Sequence, residues 1–120
     1  MSELTLQRIP FTVEADSRLR RLKSRTGITP NILCRMGLCL SLEEPGVPTL
    51  LPENFQQGRE INRYTLLGKD DQMYVALLRA RLHKDKISGN EIGNMFLAHI
   101  NRGVELLASR VRGLSDISNM

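Results

Sequence analysis

At 120 residues, with 41% hydrophobic and 25% charged side chains, the chain has room for one domain with a modest core and none for a second. Lys and Arg number 17 against 13 Asp and Glu, a formal charge of +4 and a pI near 9.5 that favour a polyanionic partner. With no Trp, two Tyr and three Phe, the core falls to Leu, Ile, Val, Met and Ala.

Leu4 to Ile9 alternates weakly and predicts a short strand, ended by Pro10, which cannot donate to a ladder. From Val13 to Arg25 the period becomes helical, with Ala15, Leu19 and Leu22 on one face. Thr26-Gly27 closes that helix, and Thr29-Pro30 opens the next as N-cap and first helical residue. Ile32 to Leu42 is apolar nearly all round, interrupted mainly by Arg35, which predicts a helix covered partly by another subunit. Cys34 and Cys39 fall about 140° apart on that helix, so they neither pair nor share a metal, and both are expected as buried free thiols. Residues 45 to 59, with three Pro and two Gly, read as an irregular connection.

A short extended piece is expected around Tyr64-Thr65-Leu66. Lys69 to Lys84 is helical again, with Met73, Ala76, Leu77 and Ala80 as its apolar face. Ser88-Gly89-Asn90-Glu91 has the form of a capping box. It opens a last helix through Ile92, Met95, Phe96, His99, Gly103, Leu106 and Leu107 to about Arg112, with a frayed tail from Ser115 to Met120. Neither a secretory leader nor an apolar run near the roughly 18 residues of a membrane span is present, so a cytoplasmic protein is expected.

Catalysis has no visible home. His83 and His99 lack H-E-x-x-H or C-x-x-C companions, and the adjacent pairs Asp70-Asp71 and Glu43-Glu44 splay apart on a helix. Gly89, Gly93 and Gly103 match no phosphate loop, and His99 on an apolar face reads as a core histidine. No metal or cofactor is expected, and no enzymatic activity. The informative feature is the basic cluster Arg18, Arg20, Arg21, Lys23 and Arg25. Arg18, Arg21 and Arg25 form a stripe within about 60° on the helical wheel, while Arg20 and Lys23 point further around. Five cations in under three turns repel one another, a density that an ordinary solvated face does not require. These five are the expected DNA-binding residues, and the stripe Arg18, Arg21 and Arg25 is expected to contact phosphates.

The order of strand, basic helix, T-G-I-T-P turn and apolar helix resembles a ribbon-helix-helix unit, whose paired strands read bases in the major groove. Only Thr5, Gln7 and Arg8 could do so here, which supports base reading poorly. The run L-K-S-R-T-G-I-T-P-N-I-L-C-R-M-G-L-C-L-S-L-E-E-P-G, from Leu22 to Gly46, resembles the signature segment of the DndE family. R-E-I-N-R-Y-T-L-L-G, from Arg59 to Gly68, and the helix around Gly93 to Gly103 extend the likeness to nearly the whole chain.

The resemblance implies a part in replacing a non-bridging phosphate oxygen of DNA with sulfur. It further implies a small helical homotetramer that binds double-stranded DNA, preferably nicked, beside DndC and DndD, which activate the sulfur and hydrolyse ATP. The expected molecule is therefore a single mainly α domain over residues 1–120, oligomeric, with a ribbon-helix-helix-like N-terminal half and two further helices. A ribbon-helix-helix repressor and an assembly adaptor that binds no DNA are the alternatives.

Overall fold

The computed structural model describes residues 3–111; Arg112 and the expected tail from Ser115 to Met120 lie outside them. The first strand, β1 (Arg8–Thr12), runs through Pro10 instead of stopping there. Its partner is β2 (Gln57–Asn62) of the same chain, antiparallel, with Ile9 opposite Ile61 and Pro10 opposite Glu60. The Gln7 carbonyl accepts from the Arg63 N–H at 2.9 Å, so the odd residues of β1 face β2 and Pro10 turns its missing donor outward.

The helix α1 (Val13–Thr26) follows directly and matches its sequence reading. Thr12 Oγ1 accepts from the Ala15 N–H at 3.0 Å, and Gly27, at φ 75°, sends its N–H to the Lys23 carbonyl. The next helix, α2 (Pro30–Glu43), starts at the expected Thr29-Pro30 step, although Thr29 Oγ1 bonds Asn31 Oδ1 instead of capping a backbone N–H. The connection from Glu44 to Gln56 is irregular, as its Pro and Gly content requires.

The extended piece expected at Tyr64-Thr65-Leu66 lies earlier, in β2. Those three residues belong to the short helix α3 (Arg63–Leu67), because Asn62 Oδ1 accepts from the Tyr64 N–H at 2.8 Å and caps a turn there. A 3₁₀ turn, Gly68–Asp70, leads into α4 (Asp71–Lys84). The Ser88 hydroxyl opens a second such turn, Gly89–Glu91, by accepting from the Asn90 N–H. The Glu91 N–H goes to the Ser88 carbonyl and the Glu91 carboxylate takes the Asn94 amide, so the reciprocal bonds of a capping box do not form.

The centre of the fold is α5 (Ile92–Arg110), packed mainly against α2, with α1, α4 and β1 around it. The two central helices cross at Gly37 and Gly103: a Cβ on Gly37 would stand 2.7 Å from the Gly103 carbonyl carbon. Glycine at both positions lets the backbones touch. Phe11, Leu19, Leu33, Leu38, Leu66, Phe96, Ile100 and Leu107 are fully buried around that crossing. No helix among the described residues is long and apolar enough to cross a membrane.

The face expected to be buried on α4 points the other way. Met73 and Leu77 are exposed, and Leu78, Arg81 and Leu82 are buried. The cause is Arg81, whose guanidinium donates to the carbonyls of Leu42 at 2.8 Å and Gly46 at 2.6 Å, while Nε meets Asp85 at 2.8 Å. The last carbonyls of α2 lack intrahelical donors, so a cation there is favoured. That anchor sets the rotation of α4 against its own apolar period.

Candidate nucleic-acid interface

The polar face of α1 carries the cations because Ala15, Asp16, Leu19, Leu22 and Thr26 are taken inward. Arg18, Arg21 and Arg25 line one wall of a groove of about 290 Å³. Glu105, Ala108, Ser109 and Val111 of α5 and its end line the other. The stripe seen on the helical wheel is thus one side of a concavity.

The five cations fall into two groups. Arg18 Nε meets the Glu105 carboxylate across the groove at 3.1 Å, and Arg20 meets Asp16 of its own helix at 3.1 Å. Arg21, Lys23 and Arg25 are exposed, and their side chains have no ion pair or hydrogen bond with another described residue. Lys23 and Arg25 also sit in the last turn of α1, where cations complement the carbonyl end of the helix. Arg20 and Lys23 are not among the groove's lining residues.

Two acids that sequence reasoning did not place shape this surface. Asp16 is buried and accepts from Arg59 Nε at 2.6 Å, tying α1 to β2. Gly58 permits the approach, since a Cβ there would lie 2.6 Å from the Asp16 Cβ. Glu105 lies on the half-polar side of α5. Its spacing from Arg18 is 87 residues along the chain, so no local pattern could pair them.

Other cations have internal work. Arg35 donates to the carbonyls of Leu66 at 2.7 Å and Thr65 at 3.1 Å, and Arg63 forms a two-pronged pair with Asp71 at 2.7 and 2.8 Å. Arg102 donates to the Ser41 hydroxyl at 2.9 Å and to the carbonyls of Ser41 and Gly46. Ser41 Oγ is also hydrogen-bonded to His99 Nδ1 at 2.8 Å. His99 is fully buried, and burial, then the charges of Arg102 and Arg81, push its pKa down to about 4.

Of the two thiols, Cys34 is buried, and that burial pushes its pKa up to about 12. Cys39 is exposed, contrary to expectation, because α2 turns its 34/38/41 side to the core and its 32/39 side outward. Among the described residues no group of three or more His, Cys, Asp and Glu could hold a metal ion.

The model of one family, DNA sulphur modification protein DndE, matches residues 8–113. The chain belongs to the DndE family. The fold is also that of solved DndE proteins. A crystal structure of DndE from Escherichia coli B7A, involved in DNA phosphorothioation modification, superposes with a TM-score of 0.66 at 24% identity, covering 88% of this chain and 99% of that one. A crystal structure of a DndE mutant involved in DNA phosphorothioation gives 0.64 at 21% identity, covering 87% and 98%. No curated protein matches the sequence. The DndE model thus spans everything from β1 to the end of α5, the basic helix and its groove included.

Proposed function

We propose that this DndE-family chain is a non-catalytic accessory subunit of the DNA phosphorothioation system that binds double-stranded DNA through its phosphates. The observation that carries this reading is the groove, where Arg18, Arg21 and Arg25 project from successive turns and two of them have no partner among the described residues. Such cations hold a duplex in position without conveying sequence. Arg20 and Lys23 flank the stripe and add to its potential. In this reading sulfur activation and ATP hydrolysis fall to DndC and DndD, as the family resemblance implies, and the chain acts in the cytoplasm with no cofactor of its own.

The same reading takes the chain as a homotetramer. Met73, Ala76, Leu77 and Ala80 of α4 and Ile32 and Cys39 of α2 are each exposed, and Cys39, Leu42, Leu77 and Ala80 are among the residues that line a trough between the two helices. At about 25 cal/mol per Å², covering a few such side chains contributes several kcal/mol to association. A multimer repeats the groove in each chain. Where grooves converge, a nick makes the duplex easier to bend onto them, which favours nicked over intact DNA.

A ribbon-helix-helix repressor fits less well. In that fold β1 would pair with the same strand of a second chain, but β2 occupies one edge here and Asn101 the other. The Asn101 side chain accepts from the Thr12 N–H at 3.0 Å and donates to the Pro10 carbonyl at 3.4 Å.

Gel shifts with intact, nicked and single-stranded probes of several sequences test the proposal. The expected result is duplex binding that varies little with sequence and falls with salt at a log–log slope of about −0.9 per phosphate neutralised. Replacing Arg18, Arg21 and Arg25 together by Glu abolishes it while the oligomer survives. Undiminished binding by the triple mutant places the DNA surface elsewhere, a footprint on one operator supports a repressor, and no binding to any probe leaves an assembly adaptor.

A further inference from the structure

We propose that Glu105 is a built-in competitor for phosphate: it occupies Arg18 until DNA displaces it, and so sets the affinity of the groove. The inference rests on the reading of this groove as the phosphate-binding surface, and concerns what regulates it. Glu105 is the one carboxylate among the residues that line the groove, facing three arginines on the opposite wall. Its Oε2 lies 3.1 Å from Arg18 Nε. The side chains of Arg18 and Glu105 are 40% and 43% exposed, so the pair is open to solvent and easily exchanged.

A carboxylate and a phosphate offer a guanidinium the same chemistry, a planar fork of donors meeting a pair of anionic oxygens. Only one of them can hold Arg18 Nε at a time. Arg21 and Arg25 have no such competitor among the described residues, so they are free to make the first contact. Arg18 joins when the phosphate displaces Glu105, and the displaced carboxylate returns to water. The exchange of one anion for another on Arg18 leaves fewer counterions to release than a free arginine would. The resting pair therefore weakens binding and lowers its salt dependence.

Glu105→Gln tests this, since it removes the charge and keeps the shape. Binding to a duplex of arbitrary sequence, read by fluorescence anisotropy at low salt, is expected to tighten about two- to fivefold per groove engaged. The salt slope is expected to steepen, because no ion pair that salt itself weakens has to be broken first. Two controls separate this from its rivals. Glu53→Gln removes an equal charge from the exposed connection outside the groove. An equal gain there would make the effect one of net charge and overturn the proposal. In an Arg18→Ala background the gain from Glu105→Gln is expected to vanish. A gain that persists in full would mean that Glu105 merely repels DNA, with no part played by Arg18.

Unchanged or weaker binding by a folded Glu105→Gln protein, while the Arg18/Arg21/Arg25 triple mutant loses binding, sinks the competitor and leaves the DNA reading intact. Binding by the triple mutant equal to the parent's sinks the DNA reading itself. Thermal melting of each variant shows that a change in affinity is not a change in folded fraction.

Discussion

The Ser41 hydroxyl stands between Arg102 and His99 at no solvent exposure, and with Arg81 these side chains close the C-terminal end of α2. Two guanidiniums reach the carbonyls of Ser41 and Leu42 at the end of α2 and of Gly46 just beyond it, where helical donors run out. Replacing Arg81 by Met strands the Leu42 carbonyl and the Asp85 carboxylate, itself only 11% exposed, while Arg102 still reaches the carbonyls of Ser41 and Gly46. A loss of about 3–5 kcal/mol is expected, read as a lower urea midpoint.

His99 adds a pH dependence whose direction follows from its lowered pKa. The folded protein holds the ring neutral down to about pH 4, whereas the unfolded chain takes up a proton near the ordinary histidine value. The unfolded state therefore binds more protons between those two values, and stability falls as pH drops through that window, staying complete above it. Urea midpoints at pH 7 and pH 5 check this against His99→Gln, which should lose that component of the difference. The cysteines divide in the same way, by burial. Cys34→Ser is expected to cost about 1–3 kcal/mol, because the hydroxyl enters an apolar site, while Cys39 should react with a thiol reagent in the folded single chain.

At the scale of elements, what the sequence made legible is the part that rests on local signals. The bounds of α1, the Thr29-Pro30 start of α2 and the beginning of α5 all follow from caps, Gly and period, and the structure has them within a few residues. What escaped depends on partners distant in the chain. Pro10 ends a strand only if its N–H side faces a neighbour, and Asn101, 91 residues away, is what lies on that side. The apolar period of α4 gave the wrong face because Arg81 is anchored on α2. The site shows the same division: the basic stripe is visible on α1 alone, but the groove exists only because α5 supplies its second wall.

The Gly37–Gly103 crossing gives the sharpest test at this scale. On an isolated helix Gly→Ala is stabilising by about 0.5–1 kcal/mol. At Gly37 the added methyl would lie 2.7 Å from backbone atoms of Gly103, which cannot swing aside as a side chain end could. The helices must part, and overpacking of this kind costs about 1–3 kcal/mol. Gly37→Ala is therefore expected to be destabilising, and a stabilised variant in urea melts would show that the two backbones do not touch.

For the whole molecule the question is how two surfaces are divided. The groove of α1 and α5 shares no lining residue with the trough between α2 and α4, so assembly and DNA binding can be separated by substitution. Leu77 is 45% exposed in the single chain, so a charge there has little to disturb within the domain. In an assembly that covers this face, the same charge would be buried without a partner, which disfavours association strongly. Leu77→Glu is expected to sediment as a folded monomer with an unchanged melting profile at low concentration. Its groove remains whole, so it should still bind duplex, but each monomer brings one stripe instead of several. Affinity should then fall by orders of magnitude, because linked sites bind as one and separated sites do not. The salt slope should shrink in proportion to the number of grooves lost from each bound particle. A Leu77→Glu protein that still sediments as an oligomer would move the interface off α4. A true monomer that keeps the parent's slope would mean that a single groove makes all the phosphate contacts, and that assembly serves something other than holding DNA.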